Sequence, residues 1–281
     1  MPQMQALAER LDRALAGAVL ERADLLGFAS LKTAEPSPDV LMGRELEAVS
    51  RRGKYALLSF EDGYRVALHL SQAGRVDLES PPKATRPRGA LVRFTFSAPA
   101  AATPGTAILL REHGTQRKAG WWVLGPGDEG PLATLGPEPD SEEFATLVRS
   151  ERSARRLYTW LRDQRVVAGI GRGYTDDALH RAKLSPFAAV GALDDEGRDR
   201  LLLAVREVLA EGLALERTRT GGLSEPRLGE HFTVHGRVGE PCPRCGAAIR
   251  RVSFESYEVA YCTCQTGGAV LADRRMSRLL R

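Results

Sequence analysis

Apolar residues at Met4, Leu7, Leu11 and Leu15 share one face of a period of about 3.6 residues and are followed by Gly17, which predicts a short amphipathic helix ending there. Beyond it the apolar positions gather into short runs. ADLLGFASL, RELEAVSRRGKYALLSF, YRVALHL, GALVRFTFS, TAILLRE and GWWVLG read as strands, separated by EDG, ESPPKATRPRG and SAPAAATPG. Strands and turns at that density predict a β-sandwich or related β-rich domain over residues 1–125. The Gly/Pro-rich GPGDEGPLATLGPEPD predicts a linker over 126–139.

From Asp140 the period becomes helical. Ser141 precedes two glutamates and reads as a helix N-cap. Leu157, Trp160 and Leu161 share a face in SARRLYTWLRDQ, and YTDDALHRAKL follows a turn. Leu201, Leu202, Val205, Val208 and Leu209 form the stripe of a longer helix. A helical domain over 140–228 and a cysteine module over 229–281 complete the order.

Every cysteine of the chain lies in CPRCGAAIRRVSFESYEVAYCTC, from Cys242 to Cys264. A C-x-x-C turn lets both sulfurs reach one Zn²⁺ at about 2.3 Å, and a second close pair completes a tetrahedron. AIRRVSF and YEVAY alternate as the strands of a hairpin, a piece small enough to need a metal staple. Cys242, Cys245, Cys262 and Cys264 are therefore the expected ligands of a structural zinc. The C-x-C spacing of the second pair leaves three alternatives: a strained turn, a lost and replaced ligand, or a weak site.

Composition narrows the setting. At 281 residues and 43% hydrophobic, the chain can bury a substantial core. It has no run of 18 apolar residues, and MPQMQALAERL lacks the basic and apolar regions of a secretory signal. The expectation is a cytoplasmic protein with no membrane partner, nucleoid-associated if bacterial, whose clustered thiols stay reduced. A formal charge of +4 permits nucleic-acid binding without demanding it.

The flanks of the cysteines carry more. VHGRVGEPCPRCG, YCTCQTGG and, at 163–186, DQRVVAGIGRGYTDDALHRAKLSP resemble the formamidopyrimidine-DNA glycosylase and endonuclease VIII family. That family's helix-two-turns-helix segment reads x-x-V-A-G-I-G-N-x-Y-x-x-E and its finger C-x2-C-x16-C-x2-C; sixteen residues also separate Cys245 from Cys262. In GIGRGY, the N–H groups at Gly171 and Arg172 are placed to receive a phosphate at a helix N-terminus. Arg172 stands where the family has Asn. The bland alternative is that these glycines close a helix hairpin.

The resemblance implies an α+β multidomain fold: an N-terminal helix plus β-sandwich, a helix-two-turns-helix domain over 140–228 and a C-terminal zinc-finger β-hairpin. It implies a monomer acting on double-stranded DNA that contains a damaged base or an abasic site. The activity implied is base-excision repair, removal of an oxidised base by a DNA glycosylase with abasic-site lyase action through an N-terminal proline Schiff base. Pro2 is the candidate nucleophile and Lys54, in RRGKY, the lysine that assists elimination. His69 matches a phosphate-contacting position, Arg117 the intercalating or pairing arginine, and Tyr257 the position of the finger arginine.

Departures accompany the match. Gln3 stands where the family has its catalytic Glu, and Gln72 replaces the Met that fills the void left by the flipped base. Gly17 and Lys54 both lie three residues closer to the start than in the family, an offset that sets Pro2 on the family's second proline and Gln3 on its second Glu; on that alignment the family's first three residues, and with them its nucleophile, are absent, through a misplaced start or real decay. Two other readings follow: a catalytically silent relative that binds damaged or abasic DNA, and a zinc-ribbon module for a protein or RNA partner.

Overall fold

A computed structural model describes residues 1–97, 105–114, 118–219, 230–253 and 258–271. The chain divides into two compact units. One comprises Pro2–Ala133 and the end of the last helix from Glu216; the other takes Met1, Thr134–Leu215 and the cysteine region.

The first unit opens with helix α1, Pro2–Leu15, whose face Met4, Leu7, Leu11 and Leu15 is buried. Gly17 terminates it in the left-handed region at φ +81°, where a side chain would be strained. Eight antiparallel strands follow among the described residues: β1 (Leu20–Leu25), β2 (Leu46–Arg52), β3 (Tyr55–Phe60), β4 (Arg65–His69), β5 (Gly74–Glu79), β6 (Ala90–Phe96), β7 (Thr106–Glu112) and β8 (Gly120–Leu124). They pair into two sheets, β1-β6-β7-β5 and β2-β3-β4-β8. Leu58, Phe60, Val66 and Trp121 from one sheet join Phe94, Phe96, Ile108 and Leu110 from the other, with α1, in one core. This is the sandwich expected from the strand density.

Two details differ from that expectation. The FAS of ADLLGFASL is a 3-10 turn, Phe28–Ser30, because the buried Ser30 hydroxyl bonds back to the Gly27 carbonyl (2.5 Å) and receives the Trp121 indole N–H (3.1 Å). Strand β5 was not anticipated. Its charged residues hide its burial: Glu79 meets Arg93 at 2.8 Å with both side chains almost fully covered, and Asp77 meets Arg111 at 2.5 Å.

The second unit contains α2 (Glu142–Ser150), α3 (Leu157–Arg162), α4 (Arg172–Arg181), most of α5 (Asp195–Thr218), and the hairpin β9 (Arg250–Ser253) and β10 (Glu258–Tyr261). Ser141 caps α2 through its hydroxyl, which accepts the Phe144 N–H at 3.2 Å. Phe144, Leu157, Trp160, Leu161, Leu201, Val205 and Leu209 form the core. No helix among the described residues is long and apolar enough to cross a membrane.

Candidate nucleic-acid interface and metal centre

The four cysteine sulfurs lie within 4.8 Å of one another. Tetrahedral zinc with Zn–S bonds of about 2.3 Å puts its sulfurs about 3.8 Å apart, so a donor set of four thiols in this arrangement fits the ion. Two turns deliver them. In the first, the Cys242 N–H donates to Ala247 O and its carbonyl accepts the Gly246 N–H, both at 2.8 Å, with Gly246 at φ +74°. The second answers the spacing question. Cys262 caps a 3-10 turn, Thr263–Gln265, so that Cys264 swings back beside it with extended backbone at Cys262 (φ −107°, ψ 146°). No residue of this turn has a positive φ, so C-x-C needs no strained conformation and loses no ligand.

Gln265 locks the turn. Its Oε1 accepts the Cys262 N–H at 2.9 Å, and its buried Nε2 donates to Leu184 O at 2.9 Å. Burial pushes the Cys262 thiol up to about 12. Burial also opposes ionisation of Cys242, but the backbone N–H groups of Arg244 and Cys245, together with the neighbouring Cys262 and Cys245 thiols, bring that thiol below its ordinary value. Binding a metal must therefore displace thiol protons, that of Cys262 among them.

The segment between α3 and α4 is held by Asp163 and Gln164. The Asp163 carbonyl accepts the N–H groups of Val166 (2.9 Å) and Val167 (3.1 Å). The Gln164 side chain accepts the Gly169 N–H and donates to the Ile170 carbonyl, both at 2.9 Å. Gly169 is required by its φ of +93°. Gly173 is required by packing, since a Cβ there would lie 2.4 Å from the Phe232 ring. The Met1 ammonium donates to the Gly169 carbonyl at 3.2 Å. Gly171 is the N-cap of α4 and supplies no side-chain cap, and Arg172 is the first helical residue. The first-turn N–H groups of a helix lack intrahelical acceptors, so this end carries positive potential.

Helix α4 is also the back-plate of the finger. The Asp177 carboxylate accepts the backbone N–H groups of Thr233 (2.6 Å), Val234 (3.0 Å) and His235 (3.2 Å). Asp176 holds the His235 ring, Tyr174 meets His231 at 3.2 Å, and His180 reaches Cys242. Burial first, and Arg244 second, push His180 down to about 4. Sequence reading had missed Gln164, Asp176, Asp177, His180 and Gln265. Only Asp177 left a signal, because the family pattern ends on an acid at its position.

In the β-rich unit, Pro2 is the buried first residue of α1 and Gln3 follows half-buried. The Asp12 carboxylate accepts the Val49 N–H at 2.7 Å, and the Gln5 side chain accepts from Arg51 at 3.0 Å. α1 thus runs against β2, its first turn toward the β2–β3 turn that carries Gly53 (φ +58°) and Lys54. His69 ends β4 directly opposite Tyr55, with ring centroids 4.9 Å apart. Gln72 is exposed in the β4–β5 turn. Arg117 and Tyr257 lie outside the described residues. Arg250 and Arg251 begin β9, exposed, with Arg251 paired to Glu258 at 3.1 Å.

Known proteins share this plan. The family model described as the formamidopyrimidine-DNA glycosylase N-terminal domain matches residues 1–111. The formamidopyrimidine-DNA glycosylase H2TH domain matches 135–222, and the zinc finger found in FPG and IleRS matches 239–266. A formamidopyrimidine-DNA glycosylase from Chloroflexus aggregans is 33% identical over 283 residues, covering 94% of this chain and 98% of the relative. One from Thermus thermophilus is 36% identical over 240 residues, 80% of this chain and 84% of the relative. The crystal structure of MutM (Fpg) from the latter organism superposes with a TM-score of 0.80 at 29% identity, over 96% of this chain and 99% of that one.

Proposed function

Because this chain belongs to the formamidopyrimidine-DNA glycosylase family, we propose that it is a base-excision DNA glycosylase for oxidised bases, with abasic-site lyase activity, acting on duplex DNA. One observation carries the reading furthest: a single helix, α4, has the glycine turn at its N-terminus and anchors the four-cysteine finger along its length. Solved Lactococcus lactis relatives are described in complex with abasic-site DNA and with an oxidised-pyrimidine DNA, which fits that substrate class. The domain limits 1–125, 140–228 and 229–281 follow the same reading, as does action as a monomer.

In this reading the residues divide the work. The N–H groups at Gly171 and Arg172, with the Arg172 guanidinium, hold a backbone phosphate. His69, Arg117 and Tyr257 add contacts to the DNA around the lesion, and the target nucleotide leaves the stack because its C1′ cannot be reached within it. Cys242, Cys245, Cys262 and Cys264 hold a zinc ion, which supplies the crosslink that keeps the β9–β10 hairpin folded.

Chemistry falls to Pro2 and Lys54. With Met1 attached, the Pro2 nitrogen is a tertiary amide whose lone pair is delocalised, so it acts only once Met1 is removed. The free secondary amine then attacks C1′, the bond from C1′ to the base breaks, and the base leaves with the electron pair and takes up a proton. The attacking nitrogen loses its proton, the C1′–O4′ bond then breaks with its electron pair going to O4′, which takes up a proton, and an iminium between nitrogen and C1′ remains. An α-amine titrates near about 8 in reference peptides, so a useful neutral fraction exists at physiological pH. Gln3 cannot carry the proton that a carboxyl would, which leaves Lys54 to assist elimination.

Three matched segments in family order disfavour a stand-alone zinc ribbon. The test is excision from duplexes bearing formamidopyrimidine or an oxidised pyrimidine. Release of the base supports the reading. Tight binding to damaged duplex without release would instead indicate the catalytically silent relative.

A further inference from the structure

We propose that His180 is a positioning residue of the metal centre, donating its Nε2–H to the Cys242 thiolate and thereby fastening the ligand set to α4; the proposal rests on the zinc reading above. Nε2 lies 3.2 Å from Cys242 Sγ, with His180 4% and Cys242 2% exposed. A metal-bound thiolate carries no proton, so the hydrogen in this contact belongs to the ring, which fixes the Nε2–H tautomer.

Charge explains why a donor belongs there. Four thiolates around Zn²⁺ leave a net charge of −2, and burying it is unfavourable unless N–H groups face the sulfurs. At Cys242 such donors are in place. The backbone N–H groups of Arg244 and Cys245 point to it from its own turn, and His180 adds a third donor from a helix 62 residues away. Cys262 accepts the Cys264 N–H at 3.5 Å within its turn, and Cys245 is exposed.

His180 grips the same turn a second time. Its carbonyl accepts Arg244 Nη2 at 2.7 Å, while Arg244 Nη1 lies 3.9 Å from Cys264 Sγ. One helix residue thus contacts the first ligand turn by side chain and backbone, with Arg244 extending toward the second. A ring that merely filled space would not need its nitrogen on the sulfur.

The experiment compares zinc transfer to a chromogenic chelator from the holoprotein and from His180→Phe and His180→Gln, after zinc content near one per chain is confirmed for the unmodified protein. A zinc-free unmodified protein would defeat the zinc reading itself, a separate outcome. Removing an outer-shell donor typically weakens metal binding by about 10–100-fold. His180→Phe keeps the ring shape without the donor and is expected to release zinc at least about tenfold faster; His180→Gln keeps an N–H at similar reach and is expected to stay within about threefold of the original. Equal release from the original and His180→Phe, or equally fast release from both variants, would overturn the proposal. Should His180→Phe not fold, nuclear magnetic resonance of the ¹¹³Cd-substituted protein decides: a His180 Nε2 proton coupled to the metal through sulfur supports it, and an Nδ1–H tautomer overturns it.

Discussion

His235 Nδ1 lies 2.6 Å from Asp176 Oδ2, joining a half-exposed ring to a carboxylate 1% exposed. The other carboxylate oxygen, Oδ1, is buried with no hydrogen-bond partner among the described residues. Burial drives the Asp176 carboxyl up from 3.8 to about 7, against His235 and the Ala260 N–H, which favour its ionised form, and with Asp177, which opposes it.

Stability should respond to pH accordingly. Between about 3.8 and about 7 the folded protein holds a proton on Asp176 that the unfolded chain has released. Stability from this group is therefore fullest below the lower value and is lost as pH rises to the upper one, at no more than about 1.4 kcal/mol per pH unit. Asp176→Asn removes the effect. Denaturant unfolding of both zinc-loaded proteins from pH 5 to 7.5 should show the unmodified protein losing ground to the variant as pH rises, levelling off near pH 7. Parallel curves would contradict this origin.

Asp177 presents the opposite case, a buried acid whose acceptors are used. Its carboxylate serves the N–H groups of Thr233, Val234 and His235. Asp177→Ala strands those donors at a cost of about 1–3 kcal/mol each where water cannot replace the carboxylate. The finger should loosen before the β-rich unit. Hydrogen exchange should speed at 233–235 while Phe94 and Ile108 remain protected.

The metal site predicts equal dependence on the unusual pair. Cys262→Ser and Cys264→Ser should each lower bound zinc well below one per chain, because both sulfurs join the four-sulfur cluster. Full zinc retention in both variants, measured by metal analysis after dialysis, would sink the four-cysteine centre.

Gly169 tests the turn before α4. At φ +93° an alanine is strained, and its Cβ would meet Met1 atoms at 3.1 Å. Gly169→Ala should destabilise the helical unit by about 1–2 kcal/mol and weaken binding to an abasic duplex. Unchanged binding with the expected stability loss would show that the turn has no part in DNA contact.

The sequence carried the elements whose signal is periodic or local. The α1 stripe ending at Gly17, the Ser141 cap and the hairpin between the cysteine pairs all rest on residues within a few positions of one another. Strand β5 escaped because its buried members include Glu79, neutralised by Arg93, a partner supplied only by the folded sheet. His180, Asp176 and Asp177 escaped for the same reason: their partners lie 56–62 residues away, and an acid or histidine on a short helix looks solvent-facing until the finger covers it. The C-x-C spacing looked troublesome because the sequence does not reveal that Gln265 holds a 3-10 turn there.

The most direct test of the account is borohydride trapping on an abasic-site duplex, using this chain with Met1 removed and, in parallel, a version extended upstream by Met-Pro-Glu. Reduction freezes the iminium between a proline nitrogen and C1′ as a stable crosslink. The expected result is a covalent protein–DNA adduct that forms from abasic but not intact duplex and is lost when the N-terminal proline is replaced by glycine with its amine acetylated. Absence of any adduct from either version, with zinc fully bound, would contradict it.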